Sequence, residues 1–438
     1  MNQKQAIDYV AVLGAGTMGS GIAALCAEAG CQVLLLDISR EASAQALQRL
    51  CSGKNPVLES AASTDRIHTG SFAEDLHLLA DCDWICEVIV EDLVLKQKLL
   101  QKVAEVRKDT AVISTNTSGI PLRDICARLP LSMRQHMAVT HFFNPVKFMR
   151  LLELVPSADA EPEVITELAQ FCRNRLGKGI VHAKDTVNFI GNRVGCFWIL
   201  SGLAAGKQAR AEGLDLETID ALLGAPVGLP KTGLYGLVDL IGLDVMQLVG
   251  LNLKANLPSN DPGLTYADLP AEEQAMLDRG QLGRKSGGGY YRLLRHADGS
   301  KSMEVYNPDQ DSWRAMREVQ LPEEQQALSS LLRATDSGGR LAWTVMSATL
   351  CYAANLLPEI ADDIVNIDRA MRWGFNWQQG PFELMDAYGA TDFAERLRAE
   401  QRPLPVMLQR LLESKNDCFY QDGSYFGIDG NTYRIPGE

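Results

Sequence analysis

Among the six histidines of this chain, one stands where a general base is useful. His68, His77, His136, His182 and His296 fall in polar or loop-like stretches with nothing at a telling spacing. His141 lies instead near the end of an apolar run, in MAVTHFFNPV, and past Pro145 a second apolar run, RLLELV, is interrupted by Glu153. An isolated carboxylate in such a run is costly to bury unless it is paired. A hydrogen bond between His141 and Glu153 resolves both oddities, because the glutamate then orients the imidazole and leaves its other nitrogen to take or return a proton. On spacing alone, two unrelated core residues remain the alternative.

A glycine-rich stretch precedes that pair. The apolar run Tyr9 to Leu13 stops at Gly14, Gly16 and Gly19, spaced GxGxxG, and a helical pattern follows at once. Gly14 permits a tight turn and Gly16 lets a pyrophosphate approach the backbone. Gly19 lets the helix lie close to the strand, so that the free N–H groups of its first turn face the phosphates. The helix ends near Gly30, a second apolar strand runs from Gln32 to Leu36, and Asp37 stands at its end, placed to accept from a ribose 2′-hydroxyl. An acid there favours NAD over NADP, since a 2′-phosphate is repelled. A glycine triplet alone often marks only a turn. Strand, helix, second strand and terminal acid in register make a dinucleotide the expected cofactor.

Composition narrows the rest. With 46% hydrophobic and 22% charged residues, 438 residues suffice for two or three domains and a large core. A net charge of −13 argues against nucleic acid or a membrane surface as the main partner. The ten cysteines include no CxxC pair, and Cys82 and Cys86 stand one residue too far apart for the common zinc knuckle. No metal site is therefore expected, and buried reduced thiols are the plainer reading. Met1 to Val10 lacks an apolar signal core, no run long enough to span a membrane occurs, and the closing RIPGE carries no address signal. A cytoplasmic location is expected from these features. Asn116-Thr117-Ser118 matches a glycosylation sequon only formally.

From Ala6 to about His182, short apolar runs alternate with amphipathic helices, the pattern of a doubly wound parallel sheet. Strands are predicted over Trp84–Val90, Ala111–Ser114, Met137–Phe142 and Leu151–Val155, and a helix over Leu93–Arg107 whose lysines 96, 98 and 102 read as a solvated face. After Lys184-Asp185-Thr186 the character turns helical, beginning with Asn188 to Arg210. Asp220, GLPKTGLYGLVDLIGLD (228–244), LGRKSGGGYYRL (282–293) and a hairpin at Asp298-Gly299 follow in order. The order returns in degraded form: Asp368, GPFELMDAYG (380–389), Lys415 before Cys418-Phe419-Tyr420, and a hairpin at Asp429-Gly430. Gly233 to Asp239 aligns residue for residue with Gly380 to Asp386, which reads as a duplicated helical domain with a linker around Pro308 to Glu324. The reading is thus an α/β Rossmann-like domain at 1–184, then two mostly helical domains at 185–320 and 321–438.

HFFNPVKFMRLLELV, preceded by STNTSGIPL (114–122) and VIVEDLVLKQKL (88–99) and followed by KDTVNFIGNR (184–193) and GRKSGGGYY, resembles the L-3-hydroxyacyl-CoA dehydrogenase family of fatty-acid β-oxidation. The motifs stand in family order from Tyr9 to Tyr291. The resemblance implies His141 as catalytic base, Glu153 as its partner, and Ser118 and Asn192 as hydrogen-bond partners of the reacting substrate oxygens. For NAD it implies Gly14, Gly16, Thr17, Met18, Gly19, Asp37 and Asn116, with Glu91 and Lys96 along the cofactor and substrate cleft. Departures occur at Val187 and Asn188, where many members have proline and glycine, and at Gly288, where a lysine is common. The duplicated helical part is similar to long members that also carry an enoyl-CoA hydratase domain of crotonase type, so fusion to or association with a hydratase is an open expectation.

In such a reaction the 3-hydroxyl loses its proton to the base as hydride leaves C3 for the nicotinamide. Two other readings stay open: a β-hydroxyacid dehydrogenase of the lysine-using kind, against which Asn192 stands at the expected lysine position, and a dinucleotide-binding protein without catalysis. Short family members dimerise through one helical domain, so pairing of the two copies within this chain is expected to leave a monomer, or a dimer built on another surface.

Overall fold

The computed structural model describes residues 7–52, 57–58, 60–414 and 416–437. Residues 1–6 and Lys415, which entered the reading above, lie outside the described residues. The chain divides into two compact units, Met1–Ile190 with Glu359–Ala361 and Gly437–Glu438, and Gly191–Pro358 with Asp362–Pro436.

The first unit runs β1 (Tyr9–Leu13), α1 (Thr17–Glu28), β2 (Gln32–Asp37), α2 (Arg40–Cys51), α3 (Ala61–Thr64), β3 (Ile67–Ser71), β4 (Trp84–Glu87), α4 (Leu93–Val106), β5 (Val112–Thr115), α5 (Leu122–Cys126), α6 (Leu131–Arg134), β6 (Met137–Phe142), β7 (Leu151–Pro156), α7 (Pro162–Asn174) and β8 (Gly179–His182). Its sheet has the order β3-β2-β1-β4-β5-β6-β7-β8. Val10 to Leu13, Val33 to Leu36 and all of β4, β5 and β6 are buried, as expected of strands covered by helices on both faces. The chain builds outward from β1 to β3 and then returns to place β4 on the other side of β1. That reversal opens a crevice beyond the carboxyl ends of β1 and β4.

The last two strands depart from the parallel reading, since β8 runs parallel to β7 and both run against the other six. β7 runs antiparallel to β6, with His141 opposite Glu153 in the register, because the connection through Pro145 is too short for a helical crossover. The predicted strand Trp84–Val90 also ends early, at Glu87, where the Glu87 carboxylate accepts the N–H of Ile89 at 2.7 Å and turns the chain.

The second unit runs α8 (Gly191–Ala211), α9 (Leu216–Leu222), α10 (Tyr235–Ile241), α11 (Leu243–Asn256), α12 (Ala271–Asp278), β9 (Tyr291–Arg295), β10 (Lys301–Asn307), β11 (Ser312–Ala315), α13 (Leu328–Arg333), α14 (Ser337–Asn355), α15 (Ile364–Gly374), α16 (Pro381–Tyr388), α17 (Ala390–Ala399), α18 (Val406–Glu413), β12 (Tyr420–Gln421), β13 (Ser424–Phe426) and β14 (Thr432–Arg434). The long helix starts at Gly191 rather than Asn188, since Asn188 and Phe189 take left-handed φ of 61° and 50°. β11 lies inside the segment read as a linker and pairs with β10. α8 and α14 pack on each other, and both are buried around most of their circumference. None of the described helices is singly long and apolar enough to cross a membrane.

The same pair of aspartate staples occurs twice in this unit. Asp220 accepts from the N–H groups of Tyr235 and Gly236 at 2.6 and 3.0 Å, and from the Tyr291 hydroxyl at 2.8 Å. Asp368 accepts from Phe382 and Glu383 at 2.9 and 3.2 Å, and from the Tyr420 hydroxyl. Asp239 takes the N–H groups of Tyr290 and Tyr291, and Asp386 those of Phe419 and Tyr420. Each aspartate thus supplies acceptors to a helix start or a strand start that would otherwise bury unpaired donors.

Candidate active site

Because β1, β2, β4, β5 and β6 are parallel, their carboxyl ends lie at one end of the sheet, and the residues singled out by sequence in the first unit gather there. Gly14 takes φ +116°, and a Cβ on it would meet the Val88 carbonyl oxygen at 2.6 Å. A Cβ on Gly19 would stand 1.8 Å from the Gly14 carbonyl oxygen. Packing therefore demands glycine at both positions. Gly16 differs, for a Cβ there meets nothing within 4 Å. Space beside an exposed Gly16, at the start of a helix that no side chain caps, fits the approach of a phosphate to free N–H groups. Thr17 is exposed and Met18 half-buried in that first turn.

Asp37 is already partly engaged. Its Oδ2 accepts from Ala15 N–H at 2.6 Å and its Oδ1 from Ile38 N–H at 2.6 Å, which ties the glycine turn to the end of β2. A carboxylate has about four acceptor positions, so capacity for two ribose hydroxyls remains. Ile38 and Val90, 78% and 67% exposed, follow β2 and β4 and offer apolar surface at the same end.

His141 and Glu153 meet across the antiparallel pair β6–β7. His141 Nδ1 lies 2.6 Å from Glu153 Oε2, and Glu153 Oε1 accepts from Ile190 N–H at 3.0 Å. The glutamate is fully buried and the histidine 5% exposed, with the rings of Phe143 and Phe189 against the imidazole at centroid distances of 4.6 and 5.7 Å. An ionised carboxylate can only accept, so in a neutral ring paired with one the Nδ1 carries the proton and the Nε2 the lone pair. Asn116 joins the ends of β5 and β6, since its Oδ1 accepts from Phe142 N–H at 2.9 Å.

Glu91 and Lys96 belong to a network larger than the sequence indicated. Lys96, read as part of a solvated face, is 1% exposed. Its ammonium donates to Glu87 Oε1 and Oε2 at 2.8 and 3.1 Å and lies 3.4 Å from Glu91 Oε2. The fully buried Glu87 also accepts from the Thr115 hydroxyl at 2.6 Å. Glu91 Oε1 gathers the Thr117 hydroxyl and the N–H groups of Ser118 and Gly119, at 2.6, 2.9 and 3.0 Å. Burial pushes the Glu91 carboxyl up, but Lys96, Thr117 and those two amides outweigh it and hold it below the ordinary glutamate range. The turns after β4 and β5 are thereby locked together, with the Ser118 side chain exposed at their tip. Glu87, Thr115 and Thr117 were missed by sequence reasoning. The signal for Glu87 was present: like Glu153, it is a carboxylate inside an apolar run, WICEVIV.

Asn192 lies in the second unit, half-buried in the first turn of α8. Its neighbour Arg193 is 1% exposed and donates to the Tyr352 hydroxyl of α14 at 2.5 Å and to Asp261. That turn is therefore anchored both by Asp261 and by α14.

A glycine turn at a topological switch point, with a histidine and its buried carboxylate at the same end of the sheet, defines a dinucleotide-binding α/β protein. Comparison with known proteins is more specific. Residues 9–186 match the NAD-binding domain of 3-hydroxyacyl-CoA dehydrogenase and residues 189–293 match its C-terminal domain. The chain is 35% identical over 464 residues to a probable 3-hydroxyacyl-CoA dehydrogenase of Bacillus subtilis, covering 99% of this chain and 58% of that one. It is 39% identical over 387 residues to a putative fatty acid oxidation complex trifunctional enzyme of Rickettsia felis, covering 86% and 53% respectively. The solved structure of 3-hydroxybutyryl-CoA dehydrogenase from Escherichia coli K12 superposes with a TM-score of 0.71 at 26% identity, over 94% of this chain and 100% of that one. The chain belongs to the 3-hydroxyacyl-CoA dehydrogenase family, and its first unit carries the family's NAD-binding domain. It spans little more than half the length of the two curated relatives named.

Proposed function

We propose that the chain oxidises the 3-hydroxyl of an L-3-hydroxyacyl-CoA thioester to the 3-oxo group, and reduces it in reverse, as a step of fatty-acid oxidation. The observation that carries this reading is the His141–Glu153 pair, held at the crevice end of the sheet with one imidazole nitrogen uncommitted. Bound NAD supplies the hydride acceptor at its nicotinamide. His141 Nε2 takes the hydroxyl proton as the carbonyl forms. Glu153 fixes the tautomer and lies beside the positive charge that develops on the ring. Ser118 and Asn192 are assigned as hydrogen-bond partners of the reacting oxygens. The Gly14–Gly19 turn, Thr17, Met18, Asp37 and Asn116 are assigned to the dinucleotide, with Glu91 and Lys96 keeping the turn after β4 in place beside it. Phe143 and Phe189 against the imidazole keep water from its face.

In this reading the substrate is an acyl-CoA, and an enoyl-CoA hydratase, in the same polypeptide or as a separate protein, supplies it. Support for that partner comes from the resemblance to long multifunctional members and from the trifunctional name of the Rickettsia relative. The residues from 321 onward serve as a structural mate for the first helical copy, with the cytoplasm as the expected compartment. Incubation with acetoacetyl-CoA and NADH, followed at the near-ultraviolet absorbance of the reduced cofactor, tests the reaction. Absorbance loss that depends on both substrates is expected. Tight NADH binding without turnover would instead favour a non-catalytic dinucleotide-binding protein.

A further inference from the structure

Strand register decides which side chains of the β9–β11 ribbon face the helices of its unit. Tyr291 pairs with Val305, Leu293 with Met303 and Arg295 with Lys301, and Met316, just past β11, donates its N–H to the Met303 carbonyl. Alternation along a strand puts Tyr291, Leu293 and Arg295 on one face. At the inner end of that face Tyr291 is bonded to Asp220 and Val305 is fully buried. At the outer end Leu293, Met303 and Met316 are 45%, 39% and 46% exposed. They form an apolar row about 10 Å long across three strands.

That row lines a cavity of about 890 Å³, which is lined also by Lys231, before α10, and Arg284, after α12. Lys231, Arg284 and Arg295 are exposed, and among the described residues none of their side chains has a hydrogen-bond or ion-pair partner, while the Arg284 charge acts at longer range on the buried Asp239. The buried acids of the same cavity are committed elsewhere: Glu217 to Arg314, Asp220 and Asp239 to backbone N–H groups. Glu318 is the exposed acid on its rim. An apolar row bordered by exposed cations that form no ion pair, on a chain of net charge −13, is complementary to a ligand with an apolar body and a negative head.

We propose that this cavity of the helical unit binds an anionic amphiphile, with an acyl chain over Leu293, Met303 and Met316 and the charged head at Lys231, Arg284 and Arg295. A fatty-acid carboxylate and the phosphates of an acyl-CoA share that chemistry. The site uses no residue of the unit that holds His141, and it stands whether or not the dehydrogenase reading does.

Calorimetric titration of the full chain with decanoate, dodecanoate and decanoyl-CoA, each below its micellar concentration, tests the proposal. Saturable binding is expected, tightening about fourfold per methylene between the two fatty acids and weakening with added salt. Leu293→Asp puts a carboxylate into the row and should weaken binding at least tenfold. The pair Arg284→Gln and Arg295→Gln should flatten the salt dependence. Both changes fall on exposed positions, so thermal melts should match the parent. Decanoyl-CoA binding that is sensitive to Leu293→Asp, without decanoate binding, identifies the phosphates as the head recognised. No saturable binding of any of the three, or binding that both variants leave unchanged, overturns the site.

Discussion

A histidine whose Nδ1 is engaged by a buried carboxylate has one nitrogen left for chemistry, and at His141 that nitrogen has no partner among the described residues. His141→Gln keeps a polar side chain of similar reach but cannot shuttle a proton. Turnover of acetoacetyl-CoA is expected to fall by about 10² to 10⁴-fold, while NADH titrated by fluorescence binds as before. Near-normal turnover would remove His141 from the mechanism. Asp37 gives a second outcome, because a carboxylate a few ångströms from a 2′-phosphate is repulsive by about 1–4 kcal/mol. The kcat/KM for NADH should exceed that for NADPH by at least about tenfold; parity between them would show that Asp37 does not set the preference. The His141–Glu153 pair was legible because a lone carboxylate in an apolar run demands a partner. Glu87 carried the same signal, yet its partner Lys96 was hidden among helix lysines that periodicity assigns to water.

Between elements, the Glu87–Lys96 pair joins the turn after β4 to the turn after β5 through Glu91. A buried ion pair is a poor source of stability, but breaking one by removing a single partner costs about 3–5 kcal/mol. Glu87→Gln and Lys96→Met are therefore each expected to lower Tm by several degrees or more. Combined, they remove both buried charges, and Tm should recover in large part. Turnover should stay low in the double variant, since Glu91 has then lost the ammonium that holds it against Ser118 and Gly119. A double variant with both Tm and kcat restored would show that the pair serves folding alone. The elements themselves were largely legible, as the strands and the first helices follow apolar periodicity. What periodicity does not carry is strand direction. That β7 turns back antiparallel depends on the length and geometry of the connection through Pro145, and this reversal is what brings Glu153 opposite His141.

At the scale of the whole chain, buried groups set the response to alkali. Burial lifts the thiols of Cys82, Cys86, Cys126 and Cys196 from 9.0 to about 12, and those of Cys26 and Cys172 well upward. Above pH 9 the unfolded chain releases these protons while the native one keeps them, so stability is intact below about pH 9 and is lost as pH rises toward 12. Lys178, lowered to about 8 by burial, acts the other way between about 8 and 10.5, one group against several. Tm should therefore fall steadily from pH 9 to 11; a flat profile would contradict the burial of the thiols. The second helical copy gives the last outcome. The sequence reads as a repeat through Gly233–Asp239 and Gly380–Asp386, and that reading alone does not say why a copy without a histidine or an Asn192 counterpart should persist. Packing supplies a reason: α14 covers α8, and Tyr352 of α14 receives the buried Arg193 guanidinium beside Asn192. Removing residues beyond Glu324 would expose the apolar face of α8 and leave Arg193 without that hydroxyl. The truncated chain is expected to aggregate, or to dimerise through α8 with at least about tenfold lower kcat, since the turn carrying Asn192 loses one of its two anchors. Sedimentation and turnover of a chain ending at Glu324 check this. A monodisperse monomer with full activity would show that the second copy is dispensable to the first.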